Sequence, residues 1–264
     1  MGLLARLGVV RTAGETPEIV QQDCPALQGA EAAVAYYSGR MGGDFHGFAR
    51  VAPTRFLFGL LDVAGKREKN QPIRAAAQAL FRTAGGELLS AEEVNEADAM
   101  TELARRLNLE IMRVAGGVCS CPAFAGCYNE ELGTLCYVNA GHTPGLLHDE
   151  SGTTELSATG LPLGLFSLAP TDARIVGLGP KCSLAIVSRG VVEAECSNQE
   201  FGLAGVKHVI ETDDGSARGL SHRILTQVQD FMCRPPKHND VTALALTRTW
   251  RRPSLPTPAA PGVK

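Results

Sequence analysis

The chain has 264 residues, of which 44% are hydrophobic and 20% charged, and its formal net charge is −3. That is enough apolar material for one large domain with a full core, and the near-neutral balance offers no basic face to nucleic acid or to an anionic membrane. No stretch approaches the ~18 consecutive apolar residues of a membrane span. The opening Met1-Gly2-Leu3-Leu4-Ala5-Arg6-Leu7 is interrupted by Arg6 and has no small-residue cleavage site after it, so the expectation is a soluble, cytoplasmic protein.

In chain order, residues 1–28 carry Pro17 and Pro25 with little periodicity and read as a leader or linker. The pattern from 29 to 249 reads as the folded domain. Residues 250–264, with Pro253, Pro256, Pro258 and Pro261, read as a disordered tail. Within the domain, Ala32–Tyr37 and Phe45–Val51 have strand character. Phe56–Val63 is a nearly continuous apolar run, the signature of a strand buried on both faces, with Asp62 at its end. A helix is predicted over Pro72–Thr83, with the proline in its first turn.

Ser90 and Glu93 have the spacing of a capping box. After them, Met100, Leu103, Leu107, Ile111 and Val114 recur in steps of three and four, which puts all five on one helical face. Strands resume at Cys121–Cys127, Leu135–Asn139, Arg174–Leu178 and Ser183–Ser188. A helix over Ala217–Met232 turns Leu220, Ile224, Val228 and Phe231 inward, and the last strand is Val241–Thr247. Strands in runs, with helices inserted at two places, do not suit a regularly alternating parallel sheet. They suit an α+β fold, an antiparallel β-sandwich flanked by helices.

Eight cysteines, at 24, 119, 121, 127, 136, 182, 196 and 233, are expected mostly as reduced thiols filling apolar space. Cys119, Cys121, Cys127 and Cys136 cluster on adjacent strands, but a C-x-C followed by C-x5-C lacks paired zinc knuckles, which favours core packing over a zinc site.

Gly42-Gly43-Asp44-Phe45 lies between two strands, where a glycine pair before an aspartate is also an ordinary turn. The same four residues resemble the diguanylate cyclase signature, but His46-Gly47 follows where an acidic–aromatic continuation is required and the βαβ surroundings are missing. Further on come Leu61-Asp62-Val63-Ala64-Gly65-Lys66, Tyr137-Val138-Asn139-Ala140-Gly141-His142-Thr143-Pro144, Gly160-Leu161-Pro162-Leu163-Gly164, Phe201-Gly202-Leu203 and Asp240-Val241-Thr242. In this order and spacing the six segments resemble the SpoIIE-like branch of the metal-dependent (PPM) protein serine/threonine phosphatases, over about residues 30–248.

The resemblance implies layered αββα architecture and hydrolysis of phosphoserine or phosphothreonine by a metal-activated water. Mn²⁺ or Mg²⁺ would be held by aspartates at converging strand ends, as hard cations require oxygen donors. By position, Asp44 and Asp62 match the first two ligands, Asp62 being the metal-bridging one, and the Val63 carbonyl would complete the shell of one ion. The expected partner is a phosphorylated regulatory protein of the anti-anti-sigma type. His142 and the Gly160–Gly164 loop read as structural turns.

The sequence departs from the family pattern at two ligands. Where the family has a strand ending in T-D-G, this chain has Ser188-Arg189-Gly190, so Arg189 holds the third ligand position. The fourth is the first residue of Asn239-Asp240-Val241-Thr242, which makes it Asn239. Asn offers a neutral oxygen, whereas Arg cannot ligate a cation and carries a fixed charge. The expectation is one bound ion, or none.

Two readings follow. In one, an altered phosphatase uses Asp62 and Arg189 for catalysis, with Arg189 clamping the substrate phosphate through its planar fork. Metal binding would then fall to Asp44, Asp62, Val63 and Asn239, with Asp240 or Glu193 as substitute ligands. In the other, the fold is a pseudophosphatase, a regulatory binding module whose site is filled by an Arg189 salt bridge.

Overall fold

The computed structural model describes residues 17–37, 44–63, 67–212, 215–233 and 240–249. The predicted tail, most of the predicted leader and Asn239 lie outside the described residues. Thirteen strands and five helices follow in order. They open with β1 (Val20–Asp23), β2 (Ala30–Tyr37), β3 (Asp44–Ala52), β4 (Arg55–Asp62), α1 (Arg67–Leu89) and α2 (Glu96–Ala115). Next come β5 (Ala123–Asn129), β6 (Thr134–Ala140), β7 (Gly145–Asp149), β8 (Gly152–Leu156), β9 (Arg174–Gly177) and β10 (Ser183–Val187). The chain continues through α3 (Arg189–Val192), β11 (Glu195–Cys196), β12 (Gln199–Glu200), α4 (Gly202–Glu211), α5 (Ala217–Phe231) and β13 (Val241–Arg248).

Two antiparallel sheets, ordered β1-β2-β13-β10-β7-β8 and β3-β4-β5-β6-β9, make the two inner layers. The two-residue side-chain period of a strand divides each sheet between two cores. In β4, Phe56, Phe58 and Leu60 join Phe124, Tyr137, Ile186, Leu244 and Leu246 in the core between the sheets. The alternate residues Leu57 and Leu61 pack outward against Ile73, Ala77 and Phe81 of α1 and Met100, Leu103 and Ile111 of α2. On the far side, Ala35, Ala185, Ala243 and Ala245 let α5 approach closely, with Leu220, Ile224 and Val228 covering them. The α+β sandwich read from the sequence is the observed architecture, four layers deep.

Several local expectations are corrected. Helix α1 is longer than predicted at both ends, so Pro72 lies inside it rather than in its first turn. The helix runs on through Gly85, where any Cβ would collide with Leu57, so packing against β4 outweighs the glycine's poor helix propensity there. Ser90 and Glu93 do not cap α2. Asn95 does, its side chain accepting from the amides of Ala97 and Asp98. The hairpin β7–β8, helix α4 and strand β1 were not anticipated. β1 is part of the stretch read as a leader, and it pairs with β2 at the sheet edge. Cys196 and Cys233 form a disulfide joining the β11–β12 hairpin to the end of α5, while Cys24, Cys119, Cys121, Cys127, Cys136 and Cys182 are free thiols.

Candidate active site

The site forms where the ends of the two sheets meet. β3 begins at Asp44 and β4 ends at Asp62, and the antiparallel register sets these two residues directly opposite each other. Seven of the eight residues of β4 are buried and only Asp62 at its end is partly exposed, so the carboxylate emerges at the rim of the core. Its backbone amide donates to the Pro122 carbonyl at 2.9 Å, fixing the strand end against the segment leading into β5.

The other sheet supplies the opposite wall. β10 ends at Val187 and β13 begins at Val241, adjacent and antiparallel. Ser188, fully buried, staples them: its Oγ donates to the Asp240 carbonyl at 3.1 Å and accepts from the Thr242 amide at 3.0 Å. The two sheets are then tied through carboxylates. The Asp44 amide donates to Oδ2 of Asp240 at 3.2 Å, and Thr242 Oγ1 donates to Oδ2 of Asp44 at 3.0 Å.

Arg189 opens α3 immediately after Ser188 and turns toward this cluster. Its Nε lies 3.3 Å from Oδ2 of Asp62 and 3.7 Å from Oε1 of Glu193. The contact with Asp62 runs through Nε to one oxygen, not through a two-pronged fork. Because the Arg189 side chain is 45% exposed, the pair contributes at most about 1 kcal/mol, and the guanidinium is not locked in place.

Asp44, Asp62 and Asp240 thus lie together, with Arg189 reaching Asp62. Burial, followed by the charges of Asp62 and Asp240, pushes the Asp44 carboxyl well above the ordinary carboxylate range, against the opposing hydrogen bonds from Ser188 and Thr242. Burial also raises Asp62, with Arg189 opposing and Asp240 reinforcing the shift. The donors that Asp44, Asp62 and Asp240 offer are all hard oxygens.

Asp44, Asp62, Asp240 and Arg189, singled out from sequence, are therefore brought together. The Val63 carbonyl accepts from Nδ2 of buried Asn70 at 2.7 Å, which leaves that oxygen one further lone pair. Among the described residues, no three His, Cys, Asp or Glu side chains already surround a common point as a metal cage. The donor set nonetheless suits a hard divalent cation, which would relieve the carboxylate repulsion.

The remaining candidates are structural. His142 is buried, its amide donating to Oδ1 of Asn139 at 2.8 Å and its ring nitrogen Nδ1 lying 3.0 Å from the Thr143 carbonyl. Burial lowers its pKa to about 4, which keeps the ring neutral. In the Gly160–Gly164 loop, Leu163 pairs with Cys121 and the Gly164 amide donates to Oδ1 of Asn108 at 2.7 Å, with φ of +81° at Gly164. Cys127 lies opposite Cys136 across β5 and β6, both in the core against α1 and α2. Sequence reading missed Ser188, Thr242 and Asn70 as organisers of the site. Ser188 and Thr242 stand inside the motif segments Ser188-Arg189-Gly190 and Asp240-Val241-Thr242, which was their signal, and Asn70 in α1 had none.

The family pattern described as Stage II sporulation protein E (SpoIIE) matches residues 52–249. The phosphoserine phosphatase RsbP of Bacillus subtilis is 27% identical over 198 residues, covering 74% of this chain and 47% of RsbP, so the chain spans about half the length of that relative. In fold, the RsbU and RsbW domains of Rv1364c from Mycobacterium tuberculosis superpose with a TM-score of 0.67 at 20% identity, over 88% of this chain and 65% of that one. The PP2C phosphatase domain of SpoIIE from Bacillus subtilis, with a fragment of its regulatory domain, superposes with a TM-score of 0.66 at 13% identity, over 88% of this chain and 72% of that one. With three quarters of its length matched by the family pattern, the chain belongs to the SpoIIE-like family of PPM protein phosphatases.

Proposed function

We propose that this chain is a protein serine/threonine phosphatase working with an altered metal site, in which Arg189 stands where its family keeps a third ligand. The observation that carries this reading is the turn of Arg189 toward Asp62 within a cluster that still holds three carboxylates. A site merely filled by a salt bridge would close the guanidinium onto its carboxylate, whereas Arg189 makes a single contact through Nε and stays 45% exposed.

In this reading Asp44 and Asp62 hold one Mg²⁺ or Mn²⁺, with the Val63 carbonyl, Asp240 and Asn239 as further oxygen donors. Such an ion, when bound, lowers the pKa of a coordinated water and neutralises phosphoryl charge. Asp62, as a ligand of the ion, would accept a hydrogen bond from the attacking water and orient it. Arg189 shares its charge between Asp62 and a phosphoryl group, and its exposure lets substrate reach it. Thr242 and Ser188 hold Asp44 and Asp240 in register.

The substrate is taken to be a phosphoserine or phosphothreonine on a regulatory protein, as the name of RsbP and the RsbU–RsbW pairing of the structural relative suggest. The test is Mn²⁺-dependent hydrolysis of p-nitrophenyl phosphate by wild type, Asp62→Ala and the double variant Arg189→Asp/Asn239→Asp, with the Mn²⁺-induced rise in Tm measured alongside. Wild-type turnover and a Mn²⁺ shift of several °C, both lost in Asp62→Ala, are expected. Turnover only in the double variant would mean that the natural chain is a binding module that lost catalysis at those two positions.

A further inference from the structure

Beside Asp44 a polar cleft of about 230 Å³ opens between β1, β3 and α1, lined by Gln22, Asp44, His46, Arg74, Gln78 and Arg82 among others. Arg74, Gln78 and Arg82 are spaced four residues apart, so they form one stripe along the helix. Across from them His46 is two residues from Asp44 on the same strand, its Nε2 3.2 Å from Oε1 of Gln22 and its ring 4.8 Å from that of Tyr36.

The direction of the stripe follows from two contacts. Asn70 reaches back to Val63 beside Asp62, whereas Gly85 sits against Leu57 and Val51, further along β4 and β3. Arg74 therefore lies toward the catalytic aspartates, and Arg82 lies ~12 Å further on, at 1.5 Å rise per residue. An extended peptide covers that distance in about three to four residues.

The arginines of this cleft differ from six others in the molecule. Arg50, Arg55, Arg105, Arg106, Arg113 and Arg218 are all paired with carboxylates. Among the described residues, neither Arg74 nor Arg82 has an ion-pair partner. His46 adds a hydrogen-bonding ring among the polar amides.

From this arrangement we infer that the cleft is a docking subsite for acidic side chains flanking the phosphorylated residue of the protein substrate, with Arg74 and Arg82 as its charge contacts. The inference rests on the phosphatase reading only for the identity of the ligand. The subsite itself is a binding property and is read without turnover. Gln22 and Gln78 provide amide groups for the peptide backbone between the two arginines, and the cleft ends at Asp44, where the phosphoryl group would sit. Two half-exposed ion pairs together supply about a tenfold preference.

The experiment uses the full chain and four fluorescein-labelled peptides at low salt, followed by anisotropy. One carries phosphoserine between runs of three glutamates, the second phosphoserine between glutamines, the third unphosphorylated serine between glutamates, and the fourth, a control, unphosphorylated serine between glutamines. Wild type is expected to bind the first about tenfold more tightly than the second. Arg74→Ala/Arg82→Ala is expected to abolish that preference while leaving Tm and p-nitrophenyl phosphate turnover unchanged.

The third peptide is expected to keep the arginine-dependent gain over a glutamine-flanked serine control. If the arginine dependence follows the phosphate alone, or wild type shows no acidic preference, the subsite is overturned. Absence of turnover on the aryl phosphate with the acidic preference intact would sink the phosphatase reading and leave the subsite standing.

Discussion

The Nε of Arg189 lies 3.3 Å from Oδ2 of Asp62, and it arrives there because Ser188, the residue before it, is bonded to both the carbonyl of Asp240 and the amide of Thr242. One buried hydroxyl thereby sets the positions of a cation just after β10 and a carboxylate just before β13, facing two aspartates of the other sheet. The charge balance of the cluster depends on that cation, since burial alone drives Asp44 and Asp62 toward their neutral forms.

Removing the cation should move the acid limb of the pH–rate profile. Arg189 opposes the upward shift of Asp62, so Arg189→Ala raises that pKa further and the acid limb of kcat moves to higher pH. Arg189→Lys, which keeps the charge, is expected to restore most of the original limb. The profile with p-nitrophenyl phosphate between pH 5 and 9 measures both.

Stability without metal should fall as pH rises. A carboxyl whose folded pKa is raised binds its proton more tightly in the native state, so the native state holds more protons above the unfolded value near 3.8. The slope of unfolding free energy with pH is then negative in that window, and stability is lost as Asp44 and Asp62 ionise. Asp44→Asn removes one of these charges while keeping an acceptor for Thr242. In EDTA it is expected to raise Tm by a few °C at pH 7.5 and by much less at pH 4, read by thermal scans.

Arg55 joins the end of α1 to the sheet. Its guanidinium donates to the carbonyls of Leu89, Ala91 and Glu92 and lies 2.9 Å from Glu96, with both side chains about nine-tenths buried. Arg55→Ala strands the Glu96 carboxylate and three carbonyls, leaving only the Asn129 amide on Glu96. The expected loss is about 3–5 kcal/mol by urea denaturation.

Two glycine substitutions should act in opposite directions. A Cβ at Gly126 in β5 would sit 2.6 Å from Cζ of Phe58 and 2.9 Å from Cδ1 of Leu135, inside the core between the sheets. Gly126→Ala is expected to cost about 1–3 kcal/mol. At Gly86 in α1 no atom lies within 4 Å of such a carbon, and Gly86→Ala is expected to gain about 0.5–1 kcal/mol from backbone entropy. Paired denaturation curves decide both.

The amino-acid sequence by itself determined the layered architecture, because strand and helix periods are local properties. Phe56, Phe58 and Leu60 alternate with Leu57 and Leu61, and Met100, Leu103, Leu107 and Ile111 keep helical steps, whatever they finally pack against. It also determined the candidates Asp44, Asp62, Arg189 and Asp240, through their places in the motifs that resemble the family, and Asp62 additionally as a carboxylate ending an apolar strand. Their roles as one cluster were decided only by the tertiary structure. Asp44 and Asp240 are far apart in the chain and meet through a backbone amide at 3.2 Å.

The same holds for what was missed. Asn95 displaces Ser90 as the cap of α2 because Arg55, from a distant strand, occupies the carbonyls after α1. Ser188 and Thr242 matter through long-range hydrogen bonds, and Arg74 and Arg82 through the cleft they share with Gln22, Asp44 and His46. A hydrogen bond or an unpaired charge is a relation between surfaces. Its partner is set by how the two sheets and α1 pack, and a linear pattern does not contain it.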